Sequence, residues 1–208
     1  ADSGTAASIW DPVIKVDSVT ATGVSTSSDV SYSGDLSIQK AYISANGNLT
    51  VTKGADAPIA QQLVMGSTAQ EVAELKIAAS VDEDVTISEL YVAATVSTGA
   101  TGTFSNITLW NGSTQVGSAA GFGTTSTTTY AVAPFPNLDL TIPANGNVIL
   151  TVKADVSVNG NASSADTATF ALLPDYDGSS AGFQEAVVAK GLSSGATIAT
   201  TDIDFNGL

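Results

Sequence analysis

Hydrophobic residues in this chain recur at every second position, and that period constrains the fold more than any other feature. Side chains of a strand point alternately to the two faces of a sheet, so strict alternation marks a half-buried strand. Val85, Ile87, Glu89, Tyr91, Ala93 and Thr95 alternate with Thr86, Ser88, Leu90, Val92, Ala94 and Val96, and Leu90 to Val96 forms the apolar face. In residues 104–110, Ile107 and Leu109 share one face and Phe104, Thr108 and Trp110 share the other. Asn111-Gly112 follows, a two-residue hairpin signal because both positions accept positive φ cheaply. Leu138, Leu140 and Ile142 alternate up to Pro143, Asn145-Gly146 turns the chain, and residues 148–156 return. Residues 167–173 supply another strand. Turn signals recur roughly every 8 to 15 residues, the spacing of an all-β sandwich.

Two segments also fit a helix. Thr68-Ala69-Gln70-Glu71 has the form of a capping box, with Val72, Leu75 and Ala79 behind it. The same stretch alternates as Ala73, Leu75, Ile77 and Ala79 against Glu74 and Lys76, so the choice stays open. Residues 183–190, closed by Gly191, form the second candidate. Here an internal repeat decides. Residues 16–34 match residues 184–207: Gly23-Val24-Ser25 corresponds to Gly191-Leu192-Ser193, and, after a short insertion, Asp29 to Gly34 corresponds to Asp202 to Gly207. Val16 to Thr22 is β-branched and a poor helix, so both copies read as strands. A second echo pairs SANGNLTVTK (44–53) with PANGNVILTVK (143–153).

The expected fold is an all-β, immunoglobulin-like antiparallel β-sandwich over 67–175. Around it stand an N-terminal extension (1–12), an N-terminal β segment (13–66) and C-terminal strands (176–208) that repeat 16–34. The N- and C-terminal segments, 13–60 and 183–208, are expected to form a second, smaller β unit. Copies of one element at both ends look like a cut from a tandem series, which predicts head-to-tail assembly.

Composition narrows the function. Among 208 residues there are 25 Ser, 26 Thr and 19 Gly, and charged residues are only 12%. Twenty Asp and Glu face six Lys, and Arg, His and Cys are absent, leaving a net charge of −14. No thiolate or imidazole is on hand as nucleophile, base or metal ligand. No guanidinium can clamp a phosphate. Nucleic acid and anionic membranes are repelled. No run of 18 apolar residues exists to span a membrane. The expectation is a non-enzymatic, secreted, cell-surface protein. Asp2, Asp11, Pro12 and Asp17 interrupt the first twenty residues, so these residues are not expected to form the long apolar helix of type IV pilins.

Residues 72–156 resemble β-sandwich repeats of large bacterial cell-surface and surface-layer-like proteins. The resemblance is carried by AELKIAASVDEDVTISELYV (73–92), FSNITLWNGSTQVGSA (104–119) and LDLTIPANGNVILTVKADV (138–156). It implies extracellular architecture without enzymatic activity, and it identifies no site residue. This chain is shorter than the long multi-repeat members of that class. The resemblance therefore implies either a fragment or a single repeat that polymerises noncovalently.

Candidate site residues fall into four groups. Asp82-Glu83-Asp84, Asp175 with Asp177, and Asp202 with Asp204 are the dense carboxylates. Asp175-x-Asp177-Gly178 resembles only the opening of a calcium loop, since the later Gly and Glu do not fit. Asp175 and Asp177 are thus the candidate calcium ligands, weighed against a turn-capping role for all these acids. Trp110, at a strand end beside a turn, is the candidate glycan contact, weighed against packing in the sandwich. Asn48, Asn106, Asn111 and Asn161 stand in Asn-x-Ser/Thr sequons, the acceptor pattern for N-glycosylation. Ile9, Trp10, Val13, Ile14 and Val16, with Ile203 and Phe205, are the candidate assembly interface, because an extended terminal segment can add a strand to a neighbour's sheet. The partner expected is another copy of the chain. A surface-glycan adhesin is the alternative.

Overall fold

The structure is a computed structural model that describes residues 9–10, 13–16, 21–30, 34–37, 41–42, 46–96, 102–124, 131–158, 167–172 and 186–206. It divides into two compact units, Ala1–Ala45 and Asn46–Leu208.

In the first unit the described strands pair only two by two. β1 (Ile9–Trp10) pairs with β6 (Ala41–Tyr42), β2 (Val13–Val16) with β5 (Gly34–Ser37), and β3 (Ala21–Thr22) with β4 (Asp29–Val30), all antiparallel.

The second unit is a two-sheet sandwich. β7 (Leu49–Lys53), β8 (Gln70–Ala79), β10 (Phe104–Asn111), β11 (Thr114–Gly121), β14 (Asn147–Val156) and β17 (Ile203–Asn206) form a six-stranded sheet in the order β11-β10-β14-β8-β7-β17. β12 (Gly123–Thr124), β13 (Ala131–Ile142), β9 (Val85–Val96), β15 (Ala168–Ala171) and β16 (Val187–Gly191) form the other sheet. β15 and β16 lie end to end along one side of β9, and β13 covers the other side. The inner faces meet in one core. Leu75, Ile77, Leu109 and Leu150 come from the first sheet, and Ile87, Leu90, Phe135 and Val187 from the second. Fully burying each such side chain contributes about 1.5–3 kcal/mol. The all-β sandwich expected from the alternation is the fold observed.

The segment after Thr68, left open between helix and strand by the sequence, is strand: Ala69 takes a φ of +51°, which no helix tolerates, and β8 starts at the next residue. Three details differ from the sequence reading. Among the described residues, the part of 13–60 that meets a C-terminal strand is β7, and it does so inside the sandwich. β16 pairs with β9, and β17 lies parallel on β7, with Ile203 buried and Phe205 packed on the core. Burial of these apolar side chains ties both strands, and β7 with them, to the sandwich. Phe104 belongs to the core, together with Ile107 and Leu109. A bulge between Ser105 and Thr108, with Asn106 at φ +45°, inserts a residue and flips the face. β9 changes face in the same way. Val85 and Ile87 are as buried as Leu90 and Val92, because the pairing slips at Ser88 against β16 and between Pro136 and Leu140 on β13.

Phe104 then joins Phe122 and Phe170 in an aromatic cluster, with ring centroids 5.2 to 6.4 Å apart, and this ties the two sheets together. On the same inner face, Gly117 of β11, paired with Leu109, lets Phe135 and Leu138 approach. A Cβ there would stand 3.0 Å from both.

Candidate functional site

The acidic turn between β8 and β9 fastens three other segments of the chain, at 47–48, 144 and 192–194. Each of its three carboxylates has a different job. Asp82 accepts the Ser80 hydroxyl at 2.9 Å, and that hydroxyl oxygen accepts the Asn48 N–H at 3.1 Å. Asp84 accepts the Ala144 N–H at 2.8 Å, holding the β13–β14 turn. Glu83 reaches furthest. Its Oε1 accepts the Gly47 N–H at 3.0 Å and the Ser194 hydroxyl at 2.7 Å, and its Oε2 accepts the N–H groups of Ser193 (3.1 Å) and Ser194 (2.9 Å).

Glu83 is 8% exposed and fully hydrogen-bonded. The Ser194 N–H and hydroxyl hold its carboxyl below the ordinary value; burial opposes them, and Gly47 and Ser193 add to the lowering. Glycine is required where the carboxylate lies on the backbone. A Cβ on Gly191 would collide with Glu83 Oε1 and Ser194 Oγ, and one on Gly47 would stand 2.9 Å from Val85 Cγ2. Leu192 completes the seat by donating its N–H to the Asp84 carbonyl at 2.8 Å. The site is therefore a socket, formed by Glu83 and Asp84, for the turn that follows β16. It binds backbone N–H groups and the Ser194 hydroxyl. The sequence reading named the acidic triplet as turn caps but did not single out Glu83. No local signal singles it out, because Gly47 and Gly191 stand far from Glu83 in the sequence.

The outer face of the six-stranded sheet carries Trp110. Its ring is half-buried and points away from the core, its indole N–H donates to Thr108 Oγ1 at 2.9 Å, and Lys153 Nζ stands 4.9 Å from the ring centroid. Nearby, an open groove of about 540 Å³ is lined by Glu74, Asn111, Gly112, Thr141, Asn147, Val148, Ile149 and Thr151. Ile149 is 43% exposed in it. The Glu74 carboxylate folds back over Gly54 and accepts the Asp56 N–H at 3.0 Å.

Of the sequons, Asn48, Asn106 and Asn111 are exposed; the Asn106 amide donates to Asp155, whose other oxygen accepts the Ala69 N–H at 2.7 Å. Asn161, Asp175 and Asp177 lie outside the described residues. Among the described residues no group of three or more acids is gathered to hold a metal, and no helix is long and apolar enough to cross a membrane.

The candidate assembly residues fall in two places. Ile9 and Trp10 pair in backbone register with Tyr42 and Ala41, and Val13, Ile14 and Val16 pair with Ser37, Leu36 and Gly34. Ile203 and Phe205 lie beside Leu49 and Val51 at the sheet edge. The edges differ in their protection. β13 carries Pro134 and Pro136, which cannot donate to a further strand. β17 is four residues long and carries Asp204. β11 is eight residues long and has neither charge nor proline, with one bulge at Val116. Compared with known protein families and with curated proteins, the chain matches none.

Proposed function

We propose that this chain is a non-enzymatic structural subunit of an extracellular, cell-surface filament or layer, joined copy to copy by β-strand addition. One observation carries the reading: the described strands of Ala1–Ala45 form only two-stranded ribbons of two to four residues. Such ribbons are marginal in water and need a further strand or a packed face. Ile9, Trp10, Val13, Ile14 and Val16 therefore call for a surface, and an open sheet edge of a neighbour supplies one. Uncharged β11 is the edge that a molecule of net charge −14 can bring closest to its copy.

Electron microscopy of the full chain beside a chain lacking residues 1–15 tests this. Regular fibres or sheets are expected from the first and dispersed particles from the second. Fibres from the deletion would sink donation by this segment. Dispersed particles from both would sink the assembly itself.

The outward Trp110 beside the open groove favours a second reading, a glycan-binding module. Glycan-array binding lost on Trp110→Ala, by a chain that stays monomeric, would select it. Asp175 and Asp177 remain the calcium candidates of either reading, and a melting temperature unmoved by chelator removes them.

A further inference from the structure

The internal repeat has a structural counterpart, and its C-terminal copy is docked on the acidic turn of its own unit. The turn after β3 and the turn after β16 are the same object, offset by 168 positions from Ala21–Val30 to Ala189–Ile198 with no gap. Gly23 N–H donates to Ser28 O at 2.9 Å, as Gly191 N–H donates to Ala196 O at 2.8 Å. Ser27 N–H returns to Gly23 O at 2.8 Å, as Gly195 N–H returns to Gly191 O at 3.0 Å. Ser27 and Gly195 both take positive φ, +52° and +68°. The hydroxyl at the fourth position accepts the N–H two residues on, Thr26 from Ser28 at 3.4 Å and Ser194 from Ala196 at 3.1 Å. The flanking pairs correspond too: Thr22 with Asp29, and Lys190 with Thr197. The structural match thus runs straight through to residues 197–198, where the sequence alignment had placed an insertion.

The C-terminal turn presents four donors to the acidic socket: the N–H groups of Leu192, Ser193 and Ser194, and the Ser194 hydroxyl. The N-terminal turn holds the equivalent set in the same geometry, namely the N–H groups of Val24, Ser25 and Thr26 and the Thr26 hydroxyl. Within Ala1–Ala45, none of these four donors meets an acceptor among the described residues. Val24 is fully exposed at 102%, against 54% for its counterpart Leu192. Within its own unit, a turn shaped to grip a carboxylate is left without one.

We propose that the Gly23–Ser28 turn docks on the Glu83–Asp84 socket of a second copy of this chain, exchanging with that copy's own Gly191–Ala196 turn. The inference rests on the self-assembly reading and adds a second contact to the strand addition at β11. A socket that reads backbone N–H groups and one hydroxyl has little means of telling the two turns apart. Exchange conserves every bond, as in domain swapping. It joins the N-terminal segment of one copy to the sandwich of the next, a heterologous contact that propagates.

The chain has no cysteine, so introduced thiols report cleanly. In the home seat the Leu192 N–H donates to the Asp84 carbonyl, so the two backbones are adjacent. A double variant L192C/D84C should close within one chain and shows that D84C folds. V24C chains mixed with D84C chains, under mild oxidation at a concentration where the protein associates, should then give the mixed disulfide in excess over either symmetric one. Thr26→Val should shift the association to higher concentration with an unchanged melting temperature, and Thr26→Ser should restore it, since Ser194 does the same work. An assembly that forms no mixed disulfide and ignores Thr26→Val overturns this joint alone. A chain that stays monomeric in every form overturns the assembly reading beneath it. If D84C fails to fold, the Thr26→Val and Thr26→Ser comparison decides by itself.

Discussion

Buried against three backbone N–H groups and a hydroxyl, Glu83 must stay ionised to keep its partners satisfied. Its carboxyl is held below the ordinary value near 4.5, so the folded state binds its proton less readily than the unfolded chain. The stability it contributes is full above that ordinary value and is lost as pH falls through the lower, folded value. Glu83→Gln should cost about 2–4 kcal/mol at neutral pH, since charge-assisted bonds are lost and donors are left poorly met. Urea denaturation of both proteins should show the gap narrowing as pH drops below the carboxylate range. A gap of constant size would mean that Glu83 acts through shape and not charge. Gly191→Ala should destabilise by a similar amount, because the added methyl overlaps Glu83 Oε1 and Ser194 Oγ.

Strands were legible from alternation, but the face of a strand was legible only between its irregularities. The alternation around Ile107 and Leu109 gave their burial correctly. It misplaced Phe104 because the bulge at Asn106 depends on a hydrogen bond to Asp155, 49 positions away. Ser88 on β9 is the same case: the slip is set by what β13 and β16 offer opposite it. The socket was half legible. Acids capping a turn are a local signal, whereas the reach of Glu83 to Ser194, 111 positions on, is tertiary. The bulge has its own test. Asn106→Gly keeps a residue at home with positive φ but loses the amide bond to Asp155 and should cost about 1 kcal/mol, while Asn106→Val adds backbone strain and should cost about 1–3 kcal/mol more. Phe104→Ala should cost about 3–5 kcal/mol by opening the aromatic cluster between the sheets. Thermal melts of the three variants check both claims, and an Asn106→Val protein as stable as the parent would remove the bulge from the account.

At the scale of the molecule, charge is unevenly spread. No charged residue stands between Glu89 and Asp139, a stretch that contains β10, β11 and most of β13, while all 26 charges lie outside it. Two copies of net charge −14 repel, and that repulsion is screened over about 8 Å at physiological ionic strength. Association through the neutral edge should therefore strengthen as salt is raised, the opposite of binding held by ion pairs. Size-exclusion chromatography with light scattering, run over a concentration series at low and moderate salt, measures this directly. The self-assembly account predicts masses that rise above 20.8 kDa with concentration, and rise further with salt. A mass of 20.8 kDa at every concentration and every salt would contradict it.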